Sequence, residues 1–205
     1  VSLPASEVAR LRLRAFRLEY ATMTWMVAEA AIAITAGAIT ASIALIGFGL
    51  DSVIELFSAG IVIWQLRGEI AGQDRQSRAV RLIGVTFFAL AVYLGTQSIR
   101  DLAAAARPAP SVPGLAVTAA ALIMMPALAL AKRRTGQALG NSTLVADSAE
   151  TALCALTSAA ALLAVALSTG LGWWWADPAG ALAIAVLAAR EGIENWQDEQ
   201  EEEKS

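Results

Sequence analysis

Apolar residues fall into long runs along this chain, broken by short polar stretches, and the runs have the length of membrane crossings. A hydrocarbon core of about 30 Å takes about 20 residues of helix to span. Residues 18–37, 43–66, 82–99, 115–131, 142–167 and 174–189 fit that requirement. Thr40 and Ser42 make a short uncharged link after the first run, and Arg100 and Asp101 close the third. The stretch Arg107-Pro108-Ala109-Pro110-Ser111-Val112-Pro113-Gly114 cannot continue a helix and predicts a loop. Lys132, Arg133 and Arg134 stop the fourth run, and a glycine-flanked turn at 170–172 separates the fifth from the sixth. The pattern predicts an all-α integral membrane protein with six transmembrane helices: a tail over 1–17, a membrane domain over 18–190 and an acidic tail over 191–205.

Composition agrees, since 57% hydrophobic and 16% charged residues are not the balance of a soluble domain. Charge then sets the orientation. Arg10, Arg12, Arg14 and Arg17 precede the first run, Arg67, Arg75, Arg78 and Arg81 follow the second, and Lys132 to Arg134 follow the fourth. The opposite links carry Arg100 and Arg107 or nothing, so both termini are expected in the cytoplasm, with the protein multi-pass in the cell's inner membrane. Trp173, Trp174 and Trp175 stand where an aromatic belt marks the outer interface. The arginine-rich start runs straight into a full-length span, unlike a cleaved leader. The acidic tail reads as a solvated, disordered end.

Candidate chemistry lies in carboxyl groups inside the apolar runs, because each costs at least about 2.5 kcal/mol to insert and calls for a partner or a task. Glu29, Asp51, Glu55, Asp147 and Glu150 are of this kind. Asp51 and Glu55 are one helical turn apart and share a face, which Gly47 and Ser58 extend. Thr143, Asp147, Glu150 and Cys154 share a face of the fifth run. The reading finds no arginine or lysine inside any span to neutralise them, so the missing positive charge is either a proton on each carboxyl or a divalent cation. Oxygen ligands alone suit magnesium, calcium or manganese, whereas a thiolate shifts the preference to zinc or cadmium.

Blander readings stand beside these. Cys154 also reads as a packing residue, Asp147 and Glu19 as interfacial groups near span ends, and Glu29 as a bond to a neighbouring helix. Met124 and Met125 read as lipid-facing or core filling. The chain has no histidine, which removes the commonest transition-metal ligand, and one cysteine, which excludes an internal disulfide. No nucleophile and base at plausible spacing point to an enzyme.

The order of these motifs resembles the membrane domain of the cation diffusion facilitator, or cation efflux, family. Ala41-Ser42-Ile43-Ala44-Leu45 with Asp51-Ser52-Val53-Ile54-Glu55 is similar to the family's second span. Ala146-Asp147-Ser148-Ala149-Glu150 with Cys154 is similar to its fifth, and Trp175-Ala176-Asp177-Pro178 to the start of its sixth. The resemblance covers about residues 15–195 and implies a membrane-domain-only branch, one expected to lack the family's cytoplasmic carboxy-terminal domain.

Members commonly carry two aspartates in the second span and a histidine and an aspartate in the fifth. Here Glu55 replaces an aspartate, Glu150 falls at the histidine position and Cys154 at the last aspartate. The resemblance implies a bundle in which spans one, two, four and five enclose a midplane site, with three and six beside them. It implies metal ligation by Asp51, Glu55, Glu150 and Cys154, with Asp147 and Glu29 as pathway or proton-relay candidates.

The expected function is secondary active export of a divalent transition metal, zinc first, with cadmium, iron or manganese as alternatives, by proton antiport. The alternative is a non-transporting metal sensor or assembly partner with the same fold. The expected partners are the metal ion as substrate, protons, membrane lipid and a second copy in a homodimer, with no cofactor and no nucleic acid.

Overall fold

The structure, a computed structural model, describes residues 4–67 and 73–202. It consists of α1 (Ala5–Thr40), α2 (Ile43–Leu66), α3 (Gln73–Ala104), α4 (Val112–Leu139), α5 (Ser142–Gly170) and α6 (Ala176–Glu202), with no strand among the described residues. Bounds of α2 coincide with the apolar run that predicts it; the other helices run on past theirs. The arginine-bearing tail is the first part of α1, and at 1.5 Å per residue this 36-residue helix is about 54 Å long, well beyond the hydrocarbon width.

Helix α4 passes through Lys132, Arg133 and Arg134 without a break. Helix α6 likewise continues to Glu202 through the tail expected to be disordered, whose Glu and Gln residues are good helix formers. The side chains of Arg75, Arg78, Arg81 and residues 194–205 lie outside the described residues.

Local chemistry accounts for the ends. Arg12 reaches across to cap the last turn of α2, its guanidinium donating to the Leu66 carbonyl. Ser111 caps α4, accepting from Gly114 N at 3.1 Å, and Pro113 sits in the first turn, where a missing N–H costs nothing. The predicted loop is therefore shorter than its prolines suggest. Gly140, at φ 64°, takes the left-handed conformation that ends α4, and Asn141 caps α5 by accepting from Leu144 N at 2.8 Å. A tight α4–α5 hairpin results.

Helix α1 packs on α2 and α4, and α5 packs on the same two, closing a four-helix ring. Helices α3 and α6 pair with each other and lean on α2, with α6 also against α5. Small residues allow the closest approaches. Gly49 of α2 meets Ile34 of α1, where an added Cβ would lie 2.7 Å from Cγ1, and Gly180 of α6 lies flat against Ala164 of α5.

Among the described residues, four helices contain a window long and apolar enough to cross a membrane: α1, α2, α4 and α5. Large apolar side chains point outward along the bundle, among them Ile39, Phe57, Val92, Ile123 and Val186, as lipid requires of its protein surface. Met125 is buried and Met124 faces outward, so the filling and lipid-facing readings hold for one each. Trp173 and Trp175 stack with ring centroids 5.3 Å apart just beyond α5.

Candidate cation site

Helix α2 carries Asp51 and Glu55 on one face, and α5 carries Glu150, Cys154 and Thr157 on the face opposite. Both faces line one cavity, completed by Phe87 of α3 and by Leu187, Ala188 and Glu191 of α6. Its free volume is about 20 Å³, room for roughly one water or an ion of similar size. The expected ligands Asp51, Glu55, Glu150 and Cys154 thus all line one cavity. The expected ring of α1, α2, α4 and α5 exists, and this cavity lies between α2 and α5 on the side closed by α3 and α6.

Asp51, Glu55 and Cys154 are buried, and Glu150 is partly buried. Thr157 Oγ1 donates to Asp51 Oδ2 at 2.8 Å, and the Ser58 hydroxyl donates to Glu150 Oε2. The α2 stripe extended by Ser58 is therefore joined directly to α5. One oxygen of Glu55, Oε1, is buried with no hydrogen-bond donor among the described residues. Cys154 Sγ lies 3.9 Å from Glu29 Oε1 and contributes a weak donor there.

Among the described residues the lining contains four carboxyl groups and a thiol, with no lysine or arginine. Among the described residues no three such groups converge closely enough to enclose an ion as the side chains stand. Asp51 is turned to Thr157 and Glu150 to Ser58, so an ion has to compete with those hydroxyls for carboxylate lone pairs.

Glu29 and Asp147 are not part of the cavity lining, although Glu29 touches it through Cys154. Glu29 of α1 accepts from Ser52 Oγ of α2 at 2.5 Å and from the Trp25 indole, which makes it the bond to a neighbouring helix that one reading expected. Asp147 meets Lys132, whose Nζ lies 2.5 Å from Asp147 Oδ2 and 3.2 Å from Glu19 Oε2. Thr151 Oγ1 accepts from the same ammonium at 3.2 Å.

This corrects the expectation that no basic residue lies inside a span, because Lys132 is fully buried among α1, α4 and α5. Helical register is the reason: Lys132 continues the inward row of Ala121, Met125 and Ala129, while Arg133 and Arg134 turn outward. Glu19 and Asp147 are likewise buried within the bundle.

Sequence reasoning also missed Thr157, Glu191 and the role of Asp177. Glu191 was assigned to the acidic tail, yet it follows Ala181, Ile184 and Ala188 on the inner face of α6. Asp177 caps α2 from another helix. Its carboxylate accepts from Ser42 Oγ at 2.5 Å, Ile43 N at 2.8 Å and Ala44 N at 3.3 Å, where the helix dipole favours an anion.

These features define a multi-pass helical membrane protein with an acidic cavity between two of its spans. Residues 79–196 match the cation efflux transmembrane domain, more than half of the chain, and the protein belongs to the cation efflux family. The match takes in Glu150 and Cys154 and begins after Asp51 and Glu55.

An uncharacterized transporter of Synechocystis sp. is 29% identical over 176 residues, which cover 80% of this chain and 57% of that protein. Transmembrane protein 163 of Xenopus laevis is 23% identical over 201 residues, which cover 96% of this chain and 71% of the relative. The chain thus spans a little over half the length of the Synechocystis relative.

Proposed function

We propose that this chain carries a divalent transition metal across the inner membrane of the cell, outward, with zinc as the favoured substrate and protons moving the other way. Asp51, Glu55, Glu150 and Cys154 are the ligands, Glu191 borders them, and both termini face the cytoplasm. Family membership supports cation transport in general. The observation that carries the site is the convergence of α2 and α5 on one ion-sized acidic cavity in which Glu55 Oε1 lacks a donor. A buried carboxylate oxygen without a donor is costly, and a cation supplies what it lacks.

The donor set selects the substrate. Three carboxylates alone accept hard ions, whereas the Cys154 thiolate turns the preference to zinc or cadmium. Ligands must be deprotonated to bind metal, so protons and metal compete for the same lone pairs and each displaces the other. That competition is the chemical basis for exchange, with carboxyl groups and the thiol taking the part that imidazole plays elsewhere. The Thr157 and Ser58 hydroxyls bond to Asp51 and Glu150 and compete with a metal for those carboxylate oxygens.

The test is flux into proteoliposomes containing a metal-sensitive dye, run with zinc, cadmium, manganese, iron and magnesium, with and without a pH gradient. Zinc uptake that accelerates with an opposing proton gradient supports the reading. Absence of flux for every ion contradicts it and favours a non-transporting sensor with this fold.

A further inference from the structure

We propose that Glu19 and Asp147 form a second cation site, distinct from the α2–α5 cavity, which the protein fills with the ammonium group of its own Lys132. The components come from three helices: Glu19 from α1, Lys132 from α4, Asp147 and Thr151 from α5. Lys132 Nζ lies 2.5 Å from Asp147 Oδ2, 3.2 Å from Glu19 Oε2 and 3.2 Å from Thr151 Oγ1. The side chains of Lys132 and Glu19 are completely buried, and that of Asp147 is 1% exposed.

The oxygens outnumber the donors that serve them. Glu19 Oε1 and Asp147 Oδ1 are buried without a hydrogen-bond donor among the described residues, Glu19 Oε2 is in ionic contact with Lys132, and the two carboxyl groups lie within hydrogen-bonding reach of each other. A structural salt bridge has its remaining lone pairs satisfied by further donors, and this one does not. Two carboxylates and a hydroxyl oxygen around one positive charge are instead a coordination shell, with the charge supplied on a lysine stem. Since every donor is oxygen, the vacated site would take a hard divalent ion such as manganese.

Tethering explains how Glu19 and Asp147 can lie inside the bundle without drawing a metal from solution. It also limits metal loading to the cavity one turn away on α5, where Glu150 and Cys154 lie. The proposal concerns binding and stands whether or not the cavity transports its ion.

Manganese binding to the purified, detergent-solubilised chain tests it, with free manganese counted by electron paramagnetic resonance. Lys132→Ala is expected to bind one more ion per chain than the parent, and Lys132→Ala combined with Asp147→Asn or Glu19→Gln is expected to lose that ion again. Equal stoichiometry in Lys132→Ala and the parent overturns the proposal, as does an extra ion that survives both carboxyl substitutions. Should Lys132→Ala fail to fold, it is produced in methylammonium or manganese. Recovery of the fold by either cation supports the proposal, and failure of both to recover it overturns the proposal.

Discussion

Two acidic clusters lie side by side along α5 and have solved the same problem differently. Around Asp147 the compensating charge is covalent: Lys132 is fully buried and sits against both carboxyl groups. Around Glu150 and Cys154 the lining offers carboxyl groups from α2 and α6 and, among the described residues, no lysine or arginine, and hydroxyls of Ser58 and Thr157 hold part of the set. A bundle that simply tolerated buried acids would treat both clusters alike. Among the described residues the cluster around Glu150 has no lysine or arginine in its lining, which suits a site whose cation comes from outside.

The contrast makes unequal predictions. Lys132→Met, measured by reversible unfolding in detergent, is expected to cost about 3–5 kcal/mol, because it strands two buried carboxyl groups. Glu55→Gln should cost nothing or raise stability, since it removes a buried charge with an unsatisfied oxygen. A comparable loss at both positions would erase the distinction.

Zinc at a hundredfold excess over its dissociation constant is expected to stabilise the parent by about 2.7 kcal/mol, read as a thermal shift that Asp51→Asn and Glu55→Gln abolish. Asp177→Ala removes a charged cap shared by Ser42, Ile43 and Ala44 and is expected to cost about 1–2 kcal/mol while leaving the zinc shift in place. Cys154→Ser should have the smallest effect on stability. It is expected to shift the zinc-to-manganese affinity ratio about tenfold toward manganese, equivalent to about 1.4 kcal/mol. An unchanged ratio would return Cys154 to a packing role.

Much of the cavity lining was legible because a carboxyl pair one turn apart on an apolar helix marks a face whatever surrounds it. Asp51 with Glu55, and Glu150 with Cys154, needed only the helical period, and the bounds of α2 followed from its flanking turn residues. Lys132 was hidden by its neighbours, since a lysine beside two arginines at the end of an apolar run has the composition of a cytoplasmic stop. Only its register with Ala121, Met125 and Ala129 turns it inward, and Glu19 follows Ala15 in the same way on α1.

Glu191 was lost in a charge run whose helical continuation places it against the cavity. Which side of the α2–α5 pair opens depends on α3 and α6, and no single helix face carries that information. Asp177 belongs to the same class, because a cap supplied from α6 to α2 is a long-range contact with no local sign.

The most direct measurement is zinc flux into proteoliposomes for the parent and for Asp51→Ala, Glu55→Ala and Asp147→Asn, each reconstituted at equal density. If the α2–α5 cavity holds the transported ion, flux falls to background in the Asp51 and Glu55 variants and persists in Asp147→Asn. Flux at the parent's rate in Asp51→Ala or Glu55→Ala would contradict that assignment and move the search for the ion's path to another part of the bundle.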